Sequence, residues 1–542
     1  MRKSLFTIAL LATTAIQAQV LYVNNANDTY QAIETKNAKE VTFNESNHIV
    51  TFEMLDGVKY MFNTDKTEEI SLKKSKAKEL TYNTTPTVSF NANDKNSYTE
   101  VTATIPTNKT EEEYGDFVEN FSITDIVTIT FSSNKVTVTG ATDEIECEKN
   151  GAHLTITSEA SKVGYIVSGS SNNGSLKIYS EKKFQIMLSG LDLTNPAGPA
   201  INIQTGKTVY FTLDENTSNC ICDGAKYSTA VNGEDQKGTL FSEGQLIFDG
   251  TGTLNVTSYG GHGICSDDYI RIHSGNINIL QAAKDGFHTN DKFIVTRTEA
   301  ASPSITINAT ANGIDCGKGE VIIEAGKTII TSGGEAIKAE NEEQDTTIKA
   351  NATIKGGYIS FTTSGEKSSG IKSGDDFILT GGIIEGIVNG DGSKIINSDG
   401  DVLINGGKIT GFSKGTSNAD NTLSGGIKCE GDISVKAGDI AFQCTQSGTK
   451  GINSKGSITI DGGSITIVTN GTSNSKQKSQ AMDCDYDITI NGGHVILSSY
   501  NNTLSATLTT VNDGVLNAYS TNGVALNSDI KQKGGWIVTK EK

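Results

Sequence analysis

Gly263-Ile264-Cys265-Ser266, Gly286-Phe287-His288-Thr289 and Gly313-Ile314-Asp315-Cys316 are three versions of one phrase: Gly, apolar, any residue, small. The phrase returns as Gly370-Ile371-Lys372-Ser373, Gly426-Ile427-Lys428-Cys429 and Gly451-Ile452-Asn453-Ser454, with Ala336-Ile337 and Ala481-Met482 as variants. Its apolar residue falls at 264, 287, 314, 337, 371, 396, 427, 452 and 482, so successive copies stand 23 to 34 residues apart. A second phrase, strand then Gly-Gly then strand, lies between them, as in Ile404-Asn405-Gly406-Gly407-Lys408-Ile409 and Ile458-Thr459-Ile460-Asp461-Gly462-Gly463-Ser464-Ile465. Each interval holds about three short strands and no helical period. A unit this small cannot bury its own apolar face, so units must stack on one another. A varying interval around a constant strand core puts the insertions at the turns. That is the pattern of an all-β parallel β-helix, a solenoid; a propeller would need antiparallel hairpins and aromatic markers.

Stacking assigns directions. Ile264, Phe287, Ile314, Ile337, Ile371, Ile427 and Ile452 are expected to form one inward column. Two positions on, Ser266, Thr289, Cys316, Ala339, Ser373, Cys429, Ser454 and Cys484 form a second inward column of small residues, suited to a tight corner. The Cys residues of this column do not fall on adjacent coils, so free, buried thiols are expected among the eight Cys rather than a disulfide framework.

Outside this region the chain reads differently. Residues 1–18 carry Arg2 and Lys3 before the apolar run Leu5 to Ala12, the pattern of a signal peptide cleaved after Ala18. Residues 19–78 read as a small β-rich N-terminal module, from stretches such as Val41-Thr42-Phe43, Ile49-Val50-Thr51-Phe52 and Tyr60-Met61-Phe62. Residues 79–144 read as a linker and N-terminal β cap, with the acidic run Glu111-Glu112-Glu113, a strand near Val101 to Ile105, and two strands around Ser132-Ser133-Asn134. The solenoid is placed at 145–542. No segment after the leader is long and apolar enough to span a bilayer, so an exported, soluble chain is expected: secreted, periplasmic or at the cell surface, and monomeric. The formal net charge of −18 argues against nucleic acid as a partner, since phosphate binding needs a basic surface.

Several ordered stretches carry a resemblance. They are Val163-Gly164-Tyr165-Ile166-Val167-Ser168-Gly169, then Ile186-Met187-Leu188-Ser189-Gly190-Leu191-Asp192-Leu193-Thr194-Asn195, then Gly198-Pro199-Ala200-Ile201. Asp223-Gly224, Phe248-Asp249-Gly250-Thr251-Gly252-Thr253-Leu254 and His262 through Asp291 follow. Over roughly 125 to 350, and more loosely to the C-terminus, the chain resembles the secreted bacterial β-helix carbohydrate-binding domain proteins. Their fold is right-handed and similar to that of pectate lyases. The resemblance implies binding of plant-type polysaccharides, including polygalacturonate, with calcium held on the surface. One coil departs from the family's Asp-Gly-Ile pattern and reads Asp285-Gly286-Phe287-His288.

Calcium takes six to eight oxygens, and neighbouring coils, about 4.8 Å apart, can offer carboxylates in one column. Asp267, Asp268, Asp285, Asp291, Asp315 and Glu335 fall on consecutive coils and form the candidate calcium set. The plainer reading is that Asp in a tight turn caps its own backbone. His288, Lys338, Arg271 and Tyr269 are the candidate sugar-contacting residues. His262, His273 and His288 lie close in sequence but in different columns, which argues against a transition-metal site. A calcium-dependent polysaccharide lyase is the alternative, with Lys284, Lys338 or Arg271 as the base; otherwise these cations only balance nearby acids. A surface adhesin or structural spacer is the third reading. The sequence thus points to non-catalytic binding of an acidic polysaccharide through calcium.

Overall fold

The computed structural model describes residues 20–25, 29–74, 76–80, 86–104, 115–417 and 422–542; the leader segment 1–18 and the run Glu111-Glu112-Glu113 lie outside them. Among the described residues the regular structure is strand, with short 3-10 turns and no helix long and apolar enough to cross a membrane. The chain divides into two compact units, Phe90–Gly400 and a second that joins the strands before Ser89 to Asp401–Lys542.

In Phe90–Gly400, two antiparallel hairpins come first: Asp125–Ser132 with Lys135–Thr139, and Ile145–Asn150 with Ala152–Ser158. From Ile201–Gln204 onward each strand pairs in parallel with the strand three elements on, which sorts the strands into three ladders. The first ladder runs through His262–Ser266, Phe287–Thr289, Ile314–Cys316, Ile337–Ala339 and Ile371–Ser373. The second includes Leu246–Gly250, Tyr269–Ile272, Lys292–Val295 and Glu320–Ile323. The third includes Thr253–Ser258, Asn276–Ala282, Ser304–Ala309 and Lys327–Ser332.

Register in the first ladder follows the sequence phrase residue for residue. Ile264, Phe287, Ile314, Ile337 and Ile371 are successive Cα partners and are all fully buried. Ser266, Thr289, Cys316, Ala339 and Ser373 form the next buried column. All eight Cys are free thiols, and Cys316, Cys429 and Cys484 are buried as the small-residue column requires. The residues between the two columns point the other way, because alternate side chains of a strand leave opposite faces.

The Gly before each apolar landmark is set by space rather than by backbone angle. A Cβ on Gly313 would stand 2.4 Å from Ile330 Cγ2 and 2.6 Å from the Ala336 carbonyl oxygen. Gly286 meets Ile307 Cγ2 and the Gly313 oxygen in the same way, at 2.4 and 2.7 Å. These glycines therefore let an Ile of the third ladder approach the first ladder's backbone, and at Gly370 the neighbour is Phe361. The Gly-Gly phrase has another cause: its second residue takes a left-handed angle, φ 78° at Gly382 and 83° at Gly463.

The stretch near Val101 is not a strand. Val101 and Ala103 donate to the Glu324 and Arg297 carbonyls at 2.8 and 2.9 Å, but residues 101–104 join no ladder, and Ile105 lies outside the described residues. The β pattern there is spent on isolated backbone bonds to side turns.

The other unit has parallel ladders of the same kind, for example Lys408–Ser413, Asp439–Cys444, Ser464–Thr469, His494–Ser499, Val515–Ser520 and Trp536–Glu541. Its last strand does not stay open. Trp536–Glu541 pairs antiparallel with Val58–Asn63, which continues into Ile49–Met54 and Ala38–Asn44. A terminal strand with unpaired N–H and C=O groups would be a template for other chains, and the N-terminal strands cover it. Phe62, Tyr60, Phe52, Val50 and Trp536 share one buried cluster, with the Phe62 and Trp536 rings 5.1 Å apart.

Two outcomes follow from this packing. Gly313→Val should destabilise the chain by about 1–3 kcal/mol through overpacking, while Gly206→Ala, which meets nothing within 4 Å, should leave the urea midpoint unchanged. Phe62→Ala should cost about 3–5 kcal/mol. It should also shift the emission of Trp536, the chain's one Trp, to longer wavelength before global unfolding.

Candidate functional site

Between the two buried columns of the first ladder runs a third, made of Cys265, His288, Asp315, Lys338 and Lys372 in register. A further column precedes the landmark Gly on successive coils: His262, Asp285, Asn312 and Glu335. Gly263 donates to the Asp285 carbonyl, Gly286 to that of Asn312 and Gly313 to that of Glu335, at 3.0, 2.9 and 2.9 Å. The bends at Gly286 and Gly313 bring these two columns side by side.

They meet at Asp285. Its Oδ2 lies 3.0 Å from His262 Nδ1 and 3.4 Å from His288 Nδ1, while its Oδ1 accepts the Asn312 N–H at 2.8 Å. The His288 Nδ1 is also 3.5 Å from Asp315 Oδ2, which Asn312 Nδ2 approaches at 3.3 Å. The two imidazoles stack, centroids 4.4 Å apart. Lys338 Nζ lies 3.5 Å from Asp315 Oδ1, 2.6 Å from Glu340 and 3.4 Å from Glu342; Lys372 reaches Glu340 at 2.5 Å.

Burial sets the protonation states. It pushes the His262 imidazole down, against the pull of Asp285, so this ring is neutral at pH 7. It also opposes charge on Asp285, but the hydrogen bonds from His262 and His288 prevail and hold that carboxyl well below the usual range. His288 is desolvated too, yet Asp285 and Asp315 outweigh this and push it up to about 9. Burial lowers Lys338, but Glu340 and Asp315 overcome it and hold the ammonium firmly charged. Sign alternates over His288, Asp315 and Lys338, and Lys372 adds a second cation beside Lys338.

The six predicted calcium residues do not gather in one place. Asp285 and Asp315 belong to the histidine cluster. Asp267 belongs to a different trio, with Asp235 and Glu243, whose carboxylate oxygens lie within 4.8 Å of one another. Lys237 sits in that trio, 2.6 Å from Asp267 and 2.8 Å from Asp235. Burial, followed by the neighbouring carboxylates, raises Glu243; burial also raises Asp267 in spite of Lys237. Asp268 pairs with Gln245 Nε2, and burial together with the charge of Asp291 raises its carboxyl. Glu335 is raised by burial beside Lys372 and Lys338.

Of the predicted sugar-contacting residues, His288 and Lys338 share this face; Tyr269 and Arg271 do not. Arg271 Nε lies 3.0 Å from Asp116 Oδ2, and Tyr269 donates to the same carboxylate. His273 Nε2 meets the Asp116 carbonyl oxygen at 2.6 Å and its ring packs on Phe117. The segment at Asp116 therefore covers this stretch of the second ladder. Lys284 is exposed beside His262. Sequence reasoning kept His262 and His288 apart because they occupy different columns. The signal it passed over is the position before each landmark Gly, which reads His262, Asp285, Asn312, Glu335 on successive coils.

A solved structure described as the polysaccharide lyase-like protein from C. thermocellum, in a gadolinium derivative, aligns with 51% of this chain and 96% of its own, at 21% identity and a TM-score of 0.38. A curated carbohydrate-binding domain-containing protein from Acetivibrio thermocellus is 26% identical over 119 residues, 21% of this chain. The match spans 41% of that relative's length. The family described as carbohydrate-binding domain-containing protein matches residues 150–417 and 362–524, a run that takes in the whole histidine cluster. With more than half of its 542 residues inside that match, the chain belongs to the family of carbohydrate-binding domain-containing proteins.

Proposed function

We propose that this chain is an exported, non-catalytic binder of an acidic, polygalacturonate-like polysaccharide, held on the outward face of the first ladder with calcium as a bridge. The three ladders are read as one right-handed parallel β-helix, because a crossover between parallel strands is right-handed in about 98% of cases.

The observation that carries the reading is the column His288, Asp315, Lys338, Lys372. Its residues recur once per coil, about 4.8 Å apart, so a regular polymer laid along it would meet charge at a regular interval. Lys338 and Lys372 can face uronate carboxylates. The one Trp is buried, which favours polar contacts over ring stacking on it. Calcium fits Asp235, Glu243 and Asp267: the donors are all hard oxygens, and burial, with the neighbouring carboxylates, disfavours the ionised state of Glu243 and Asp267 that a cation would restore. Calcium there would replace Lys237 as counter-ion and leave coordination positions for a uronate.

The same geometry disfavours two of the three candidate lyase bases, Lys338 and Arg271, and leaves Lys284 exposed. A base needs to be unprotonated near working pH, whereas Lys338 is held as the cation and Arg271 is engaged by Asp116.

The test is retention on immobilised polygalacturonate by the full chain, after chelation and with calcium alone restored. Calcium should restore binding, and Glu243→Gln with Asp267→Asn should remove that dependence. Lys338→Ala with Lys372→Ala should weaken binding roughly tenfold, the equivalent of about 1.4 kcal/mol. No ultraviolet-absorbing unsaturated product should form. Such a product would establish a lyase, and retention on a neutral glucan only would overturn the acidic ligand.

A further inference from the structure

We propose that His262, Asp285 and His288, beside Asp315, form a binding site for a divalent cation of the zinc class. The proposal is independent of the polysaccharide reading and of calcium, and rests on three observations.

The first is spacing. A tetrahedral site with bonds of about 2.0–2.1 Å has edges of about 3.3–3.4 Å. The Asp285 Oδ2 stands 3.0 Å from His262 Nδ1 and 3.4 Å from His288 Nδ1, and Asp315 Oδ2 stands 3.5 Å from His288 Nδ1. The His262, Asp285 and His288 donor atoms all lie within 4.8 Å of one another. These are separations of ligands around one ion as much as of partners in hydrogen bonds.

The second is unmet bonding. His288 Nδ1 has only long contacts, 3.4 Å to Asp285 Oδ2 and 3.5 Å to Asp315 Oδ2, and Asp315 Oδ1 is met by Lys338 Nζ only at 3.5 Å, although the Asp315 side chain is just 8% exposed. At His262, Nδ1 faces both the Asp285 N–H at 3.3 Å and the Asp285 carboxylate at 3.0 Å. The N–H calls for a lone pair on that nitrogen and the carboxylate calls for a proton. A cation between the nitrogen and the carboxylate would be shared by both acceptors, taking the nitrogen's lone pair in place of the long contact from the N–H. Buried polar atoms held only by long or conflicting contacts call for an explanation, and a bound ion is one.

The third is support around the donors. Asn312 donates its backbone N–H to Asp285 Oδ1, its side-chain amide approaches Asp315 Oδ2, and its own Oδ1 accepts from Glu335 N–H at 2.9 Å. It thereby orients two carboxylates, as outer groups do at metal centres. Two imidazole nitrogens favour zinc and its neighbours over calcium, which prefers oxygen alone.

The test is calorimetric titration of the chelator-treated full chain with zinc alone, followed by cobalt as a spectroscopic substitute. Zinc should bind at one equivalent, calcium should not displace it, and cobalt should show the visible absorption of a four-coordinate nitrogen and oxygen site. His262→Gln and His288→Gln should each lower zinc affinity at least tenfold, with the circular dichroism spectrum unchanged. Zinc should also shift the ring resonances of His262 and His288 in the unaltered chain, a reading that does not depend on either variant folding. Failure to take up zinc, or uptake that leaves both rings and both variants indifferent, would overturn the site and leave the cluster as a protonated imidazole held between carboxylates. Loss of polygalacturonate retention with zinc uptake intact would strike only the preceding proposal.

Discussion

Backbone pairing in strict register is the constraint on which the rest depends. Each strand of the first ladder is only three to five residues long, too short to be held by its own side chains. A slip of one residue would turn the buried Ile264, Phe287 and Ile314 outward and bring Cys265, His288 and Asp315 inside. Fully burying one aliphatic or Phe side chain stabilises by about 1.5–3 kcal/mol, so a slip would forfeit that contribution at every landmark. The landmark glycines reinforce the register. At Gly263, Gly286 and Gly313 a neighbouring Ile and a carbonyl from the next coil occupy the space a Cβ would need.

Once register is fixed, the outward positions are released from packing and can carry chemistry. The column Cys265, His288, Asp315, Lys338, Lys372 holds residues with little in common except direction. Their effect comes from being stacked on consecutive coils with partial burial, where like charges would repel strongly and unlike charges are drawn together. Hence the alternation of His288, Asp315 and Lys338, and the carboxylates Glu340 and Glu342 around Lys338. The chain's excess of acidic residues is matched locally here by fixed cations.

Much of this was legible in the residues alone. The apolar and small columns follow from a phrase that repeats with one fixed order, and the free state of Cys316, Cys429 and Cys484 follows from their non-adjacent coils. The hairpin around Ser133 was legible from alternation and a polar turn, and Ser133 takes the left-handed angle such a turn requires. What escaped is what periodicity does not encode. Asp116 reaches Tyr269 across 153 residues and His273 across 157, and nothing in the ladder's spacing announces a covering segment. The same absence of a period explains Val101 and Ala103, which bond to turn carbonyls without forming a strand.

The meeting of His262 with His288 is a subtler case. Each was assigned to its column correctly, and columns were taken as the unit of proximity. Yet the close backbone approach at Gly263 and Gly286 narrows the corner between adjacent columns, so that a residue before the glycine and one two positions after it share a space. Asp285 occupies that corner and touches both rings. The glycine that secures the core thus also builds the site. In a solenoid of this kind the corner beside a landmark glycine, rather than any single column, is where distant donors converge. Phe287 keeps the core filled, and His288 beside it puts an imidazole into the corner.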